Sequence, residues 1–233
     1  MKNESNLESE NARLRGDLLT VASRVSHDLR TPLGGMATAA EVLREILAEK
    51  KLPVNLAQAI LDSSEDMNRL IKQINFVLRA SADPVPKTTI RMTEIVTITL
   101  QRVENQASKK QAVIVSPNSW PEVNGVTSWL EVIWRNLLTN ALQHTADKTR
   151  VELSWQEEND RYRFEICDNG GGVPSEIQKG LFYPFQTLYQ ATAVRGLGLS
   201  IVQRLVDLQG GECGYKPKPG GSYFFFSLPK IKN

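Results

Sequence analysis

Between Leu14 and Leu47, apolar side chains return every three or four residues: Leu14, Leu18, Val21, Val25, Leu29, Leu33, Met36, Ala40, Leu43 and Leu47. That period wraps one narrow apolar seam along a helix from about residue 7 to 49, the pattern of a helix packed in a bundle or coiled coil. The stretch Glu49-Lys50-Lys51-Leu52-Pro53 breaks it. A second helix follows, with Leu56, Ile60, Met67, Leu70, Ile71, Ile74, Val77 and Leu78 on its inner side. Two helices cannot enclose a core, whereas two such hairpins from two chains make a four-helix bundle. The sequence therefore predicts an all-α hairpin domain at residues 1–82 that forms a dimeric four-helix bundle, with a polar coiled-coil start at 1–20.

Two prolines and small residues in Ser81-Ala82-Asp83-Pro84-Val85-Pro86 stop the helix and mark a linker at 83–88. Beyond it the pattern turns to mixed α/β. A short strand is expected near 87–91, a helix at 93–108, a strand at 111–115 and a helix at about 126–145. Strands near 149–155 and 161–168 follow, then a Gly-rich loop at 169–174 and an irregular segment. A helix at 196–210 and strands at 212–216 and 222–228 finish the chain. Strands adjacent in sequence with helices grouped between them predict an α+β two-layer sandwich over 89–233.

Composition narrows the function classes. With 41% hydrophobic and 23% charged residues the chain suits ordinary buried cores, and 233 residues hold two of them. A net charge of +2 with no basic block argues against a nucleic-acid partner. Cys167 and Cys213 lie far apart, and with two histidines in the chain a zinc site is not expected. The start, MKNESNLESENARLRG, is polar where a signal peptide is apolar, and no run approaches the roughly 18 apolar residues of a membrane span. The chain reads as soluble and cytoplasmic, with any membrane tether in a segment not present here.

Ser26-His27-Asp28-Leu29-Arg30-Thr31-Pro32-Leu33 interrupts the first helix with chemistry. His27 follows Val25 by two residues, about 200° round the helix, so it faces away from the seam. An exposed helical histidine ordinarily has no task. Here Asp28 beside it can orient the imidazole or take its proton as it becomes a nucleophile. Pro32 has no N–H for the Asp28 carbonyl, so a bend is expected just below His27. A mid-helix proline costs about 3 kcal/mol, which suggests that the bend has a use.

Three further segments carry polar signals. Asn136-Leu137-Leu138-Thr139-Asn140-Ala141-Leu142-Gln143-His144 places Asn136 and Asn140 one turn apart on a helix whose buried face is Leu130, Ile133, Trp134, Leu137, Leu138 and Ala141. An asparagine oxygen can ligate a hard cation such as Mg²⁺, although two surface asparagines would give the same pattern. Asp168-Asn169-Gly170-Gly171-Gly172-Val173-Pro174 ends a strand. Its carboxylate can accept from an exocyclic amine and its glycines let backbone approach a flat ring; a tight surface turn has a similar composition. Arg195-Gly196-Leu197-Gly198-Leu199-Ser200 opens a helix, where free N–H groups favour an anionic phosphate. A lone GxG is a weak sign, since the phosphate-loop lysine pattern and a full dinucleotide fingerprint are both absent.

The segment around His27 resembles the histidine box of sensor histidine kinases, His-Glu/Asp-x-Arg-Thr-Pro-Leu. The three later segments, in their order, resemble the ATP-binding domain shared by those kinases, type II topoisomerases, Hsp90 and mismatch-repair ATPases. The resemblance implies an ATP-dependent autokinase phosphorylated on His27 with help from Asp28. It implies transfer of the phosphoryl group to a response-regulator receiver aspartate, with Thr31 positioning water for dephosphorylation. It also implies Mg²⁺ on Asn140, Asn136 near the phosphates, Asp168 on the adenine amine and Ser222 supporting that contact. Gly170 and Gly172 would line the base, while Gly196 and Gly198, flanking Leu197, would hold the phosphates.

Leu181-Phe182-Tyr183-Pro184-Phe185 resembles the kinase phenylalanine box, with core packing the other reading of its rings, and residues 186–195 would form a short lid. Gln143 stands where the family usually has a basic residue, His144 where tyrosine is common, and Val194 where the second glycine box usually begins. Arg195 is the candidate for the missing positive charge. These departures keep open a catalytically weak nucleotide-binding signalling module. An ATPase motor of the topoisomerase or chaperone kind would not account for the histidine box.

Overall fold

A computed structural model of the chain describes residues 85–145, 148–183 and 197–231, with scattered positions between 28 and 80. By its internal packing the chain divides into two compact units, Met1–Ile74 and Asn75–Asn233. In the first, the described positions from Asp28 to Leu43 are helical, as are Ile60, Met67 and Gln73. These are positions at which the two seams predict helix. The chain is helical on both sides of Pro32, whose ring is buried.

The second unit runs β1 (Thr88–Arg91), α1 (Met92–Lys109), β2 (Val113–Val115), β3 (Glu122–Gly125), α2 (Thr127–Gln143), β4 (Arg150–Glu157), β5 (Arg161–Asp168), α3 (Ser175–Gln178), α4 (Gly198–Leu208), β6 (Glu212–Lys218) and β7 (Gly221–Pro229). Five strands form one sheet in the order β2-β4-β5-β7-β6, while β1 and β3 make a separate antiparallel pair. Only β2 and β4 run parallel within the larger sheet. Helices α1, α2 and α4 pack side by side over it, which is the two-layer α+β sandwich expected.

Period-two alternation explains which side of the sheet the helices cover. Val151 and Leu153 of β4, Phe164 and Ile166 of β5, and Phe224, Phe226 and Leu228 of β7 are all buried. On α2 the stripe Leu130, Ile133, Trp134, Leu137, Leu138, Ala141 is buried at helical spacing and meets them. Trp134 is at the centre, edge-on to Phe226 at 5.3 Å and to Phe164 at 6.1 Å, with its indole N–H pointing at Met92 Sδ, 3.1 Å away. The strands' other face is polar, and there Ser154 and Tyr223 donate to the buried Glu165 carboxylate.

Strand β3 was not expected from sequence, because Glu-Val-Asn-Gly carries one apolar residue, Val123, which is fully buried. The strand predicted at 111–115 begins at Val113 instead. Gln111 takes a left-handed conformation (φ 50°) and turns the chain off the end of α1 first. Part of the segment read as irregular holds the single-turn helix α3.

Trp134→Ala is expected to lower unfolding stability by about 3–5 kcal/mol, since it removes the largest fully buried side chain and leaves a cavity. Denaturant unfolding followed by circular dichroism measures this. A loss under about 1 kcal/mol would mean that the core does not centre on this ring.

Candidate functional site

The alternation that buries Phe164 and Ile166 puts Asp168 on the same face of β5, at its last position. Asp168 lies opposite Val151 on β4 and Ser222 on β7, so three strands close round one carboxylate only 5% exposed. A buried carboxylate needs compensating donors. Its Oδ1 accepts from the Gly170 N–H (2.9 Å) and the Ser222 N–H (3.2 Å). Among the described residues Oδ2 accepts no hydrogen bond, which leaves a fixed acceptor for an amino group on a flat ring.

The glycines around it are required by close approach. A Cβ on Gly221 would stand 1.9 Å from the Asp168 carbonyl oxygen, and one on Gly170 would stand 2.6 Å from Thr145 Cγ2. Gly172 adopts φ +74°, where a side chain is strained. The loop is tied down on both sides of it. Asn169 Oδ1 accepts from Thr149 Oγ1 (2.6 Å) and the Arg150 N–H (2.8 Å). The Val173 N–H donates to Tyr215 Oη (3.2 Å), and the Val173 carbonyl accepts from Gln178 Nε2 (2.7 Å).

Helix α2 presents Asn136 and Asn140 one turn apart, both half-buried. Asn136 Nδ2 donates to the Val132 carbonyl (2.8 Å), and a Cβ on Gly198 would stand 3.0 Å from Asn136 Oδ1. Asn136 thus packs against the first residue of α4, which joins two of the three polar segments. The Asn140 amide has no hydrogen bond among the described residues, so its oxygen is available to a cation that also keeps waters and phosphates. No cluster of three or more His, Cys, Asp or Glu among the described residues could hold a metal by itself.

His144 caps the C-terminus of α2 and is exposed, Gln143 is half-buried, and Leu197 precedes Gly198 as the buried N-cap of α4. Phe182 is half-buried, consistent with partial packing. Arg195, Gly196, Phe185 and the 186–195 segment lie outside the described residues, as does His27. Next to His27, Asp28 is helical and 5% exposed, and Thr31 is helical and exposed.

An open groove of about 510 Å³ lies at the other end of the sheet, among Trp120, Glu122, Trp155, Tyr162 and Lys230. Its Trp155 indole N–H already donates to the Ser119 carbonyl, and Lys230 is paired with Glu157 at 2.8 Å. The polar segments of the sequence are instead joined through α2, whose Asn136 lies against Gly198 and whose C-terminal end lies against Gly170, beside Asp168.

Two family models cover the chain. The "Histidine kinase-, DNA gyrase B-, and HSP90-like ATPase" domain matches residues 125–232, and the "His Kinase A (phospho-acceptor) domain" matches residues 17–82. The chain belongs to the histidine kinases. It carries the catalytic core, with the phosphoacceptor match spanning His27 and the ATPase match spanning Asp168.

The alginate biosynthesis sensor protein KinB of Pseudomonas aeruginosa is 31% identical over 217 residues, 88% of this chain and 36% of KinB. The sensory histidine kinase/phosphatase NtrB of Vibrio alginolyticus is 26% identical over 89% of this chain and 61% of its own. The chain therefore spans about a third to three-fifths of these relatives' lengths. Among solved structures, histidine kinase ThkA in complex with response regulator protein TrrA shares the fold, with a TM-score of 0.76 at 21% identity over 96% of this chain and 66% of that one.

Sequence reading of this kinase core missed Thr145, Asn169 and Tyr215, which brace the Asp168 loop. It also missed Gln209, fully buried, which accepts from the Val126 N–H at the start of α2 (3.0 Å) and donates to the Leu205 carbonyl (3.0 Å). Asn169 sits in the Gly-rich segment without a role of its own there, the other three stand in ordinary sequence context, and only the fold brings them to their partners.

Neither cysteine is poised as a nucleophile. Burial pushes the Cys213 thiol up to about 12 and raises Cys167 as well. A raised value keeps the thiol protonated at neutral pH, so Cys213 is expected to alkylate at pH 8 at least a hundredfold (order of magnitude) more slowly than a free thiol. Iodoacetamide labelling read by mass spectrometry, native against denatured, checks this. Equal rates would mean an exposed thiolate.

Proposed function

We propose that this core is an autokinase and phosphotransferase of a two-component system. It phosphorylates its own His27 from Mg·ATP and passes the phosphoryl group to an aspartate on a response-regulator receiver domain. The observation that carries this reading is the presence, in one chain, of a phosphoacceptor match over His27 and an ATPase match over Asp168. The working unit is a homodimer, in which residues 1–82 form the bundle, 83–88 the linker and 89–233 the nucleotide domain. No helix among the described residues is long and apolar enough to cross a membrane. We place this segment in the cytoplasm, downstream of a sensor.

ATP supplies the phosphoryl group, and the chain's residues position and activate. Asp168 Oδ2 accepts from the adenine amine while Ser222 and Gly170 hold Oδ1. Gly170 and Gly172 let backbone approach the base. Gly196 and Gly198, flanking Leu197, hold the phosphates, since a helix start favours an anion. Asn140 lends its amide oxygen to Mg²⁺, Asn136 keeps α4 seated on α2, and His144 stands at the rim. Arg195 supplies the positive charge that Gln143 does not. At the acceptor, a neutral imidazole nitrogen of His27 attacks the γ-phosphorus, the bond from that phosphorus to the β–γ bridging oxygen breaks so that ADP leaves, and Asp28 orients the ring and takes its proton. Such a transfer depends chiefly on positioning and charge stabilisation.

The pairing with a response regulator is supported by the complex of ThkA with TrrA, and a phosphatase role by the kinase/phosphatase NtrB. In the phosphatase activity, Thr31, exposed one turn beyond His27, holds a water in line with the acyl phosphate, whose O–P bond breaks to release inorganic phosphate and the free carboxylate.

Incubation with γ-labelled ATP is expected to give acid-labile label on the wild type and none on His27→Gln, with ATP affinity unchanged in that variant. Loss of both activities together would contradict separate acceptor and nucleotide domains. Asp168→Asn is expected to weaken ATP by roughly ten- to a hundredfold, the worth of a charge-assisted hydrogen bond, as read by calorimetry. Thr31→Ala is expected to leave His27 labelling near normal while slowing phosphate loss from the phosphorylated regulator. An equal fall in both rates would make Thr31 structural.

A further inference from the structure

Thr145 belongs to none of the motifs that mark the site, yet it touches the base pocket's loop directly. It follows the C-cap of α2 and is 6% exposed. Three contacts fix it. Its Oγ1 donates to the Ala141 carbonyl (2.7 Å), its own carbonyl accepts from Lys110 Nζ (3.2 Å), and its Cγ2 lies 2.6 Å from where a Gly170 Cβ would be. The methyl therefore abuts Gly170, the residue whose N–H holds Asp168 Oδ1 at 2.9 Å. On the far side of the same loop, Asn169 is tied to Thr149 and Arg150. The loop is clamped between the end of α2 and the start of β4, and the Thr145 methyl is the stop on the α2 side.

We propose that Thr145 is a positioning residue that sets the width of the base pocket and thereby makes the site prefer adenine to guanine nucleotides. The proposal rests on the reading that Asp168 accepts from the base's exocyclic amine. An adenine presents that amine to Oδ2, whereas a guanine presents a carbonyl oxygen, which a carboxylate repels. That discrimination works only while the base is held in one register against Asp168. Removing the methyl gives Gly170 room to move toward α2, widens the pocket and lets a base shift away from Oδ2. The hydroxyl has a different task, satisfying a carbonyl at the end of α2, so the two groups can be separated by substitution.

The test is calorimetric binding of ATP and of GTP to the full chain for wild type, Thr145→Ser, Thr145→Val and Asp168→Asn, with thermal melts of each. The ratio of the two affinities is internal to each protein and does not depend on its active fraction. Thr145→Ser keeps the hydroxyl and loses the methyl. It is expected to weaken ATP by about three- to tenfold, the cost of one buried methyl, and to lower the ATP/GTP ratio by a similar factor. Thr145→Val keeps the methyl and is expected to hold that ratio within about twofold, even with a lower melting temperature.

A ratio unchanged in Thr145→Ser, or equally lowered in Thr145→Val, overturns the proposal, since a purely structural residue would move the melt without moving selectivity. Asp168→Asn separates the two levels. If it collapses the preference while Thr145→Ser does not, the base reading stands and the Thr145 proposal falls. If it leaves the preference intact, the base reading itself fails and the proposal falls with it.

Discussion

The nucleotide domain is organised round one buried carboxylate. Asp168 ends β5 on the face that Phe164 and Ile166 bury, and such a group is tolerated only where donors meet it. Those donors are backbone N–H groups of Gly170 and Ser222, supplied by the turn that follows and by the neighbouring strand. Binding chemistry and strand register are thus one constraint: shifting β7 by one residue would remove the Ser222 donor and turn Phe224, Phe226 and Leu228 out of the core. Glycine at 221 is part of the same constraint, because any Cβ there would collide with the Asp168 carbonyl.

Helix α2 connects this constraint to the rest of the domain. One stripe of it, centred on Trp134, fills the core against Phe164 and Phe226. A neighbouring stripe carries Asn136 to Gly198 at the start of α4 and leaves the Asn140 amide without a partner among the described residues. Its C-terminal end delivers Thr145 to Gly170. Burial of one face therefore aims the other. At its opposite end α2 is held by Gln209, which links the Val126 N–H to the last turn of α4.

The helical seam, the α+β order and the polar motifs were legible in the sequence because each rests on a local period or on adjacent residues. Asn136 and Asn140 announce themselves by a spacing of four, and Asp168 by a strand ending in glycines. Thr145 and Asn169 did not, since their partners, Gly170 and Thr149 with Arg150, are separated from them in sequence by about twenty residues and meet only after the sheet forms. Strand β3 escaped because its hydrophobic content is one valine, and its pairing with β1 supplies what pattern does not. The left-handed Gln111 that delays β2 is likewise set by the turn off α1 rather than by a residue type that favours it.

The most direct measurement of the central claim is an amide chemical-shift titration of the chain with a non-hydrolysable ATP analogue and Mg²⁺. The N–H groups of Gly170 and Ser222 both donate to Asp168, and they are expected to shift most as the base docks on the remaining carboxylate oxygen. Trp155 and Tyr162, at the far end of the same strands, should hardly move. Largest shifts at Trp155 and Tyr162, with Gly170 and Ser222 unperturbed, would contradict the placement of the nucleotide at the Asp168 end of the sheet.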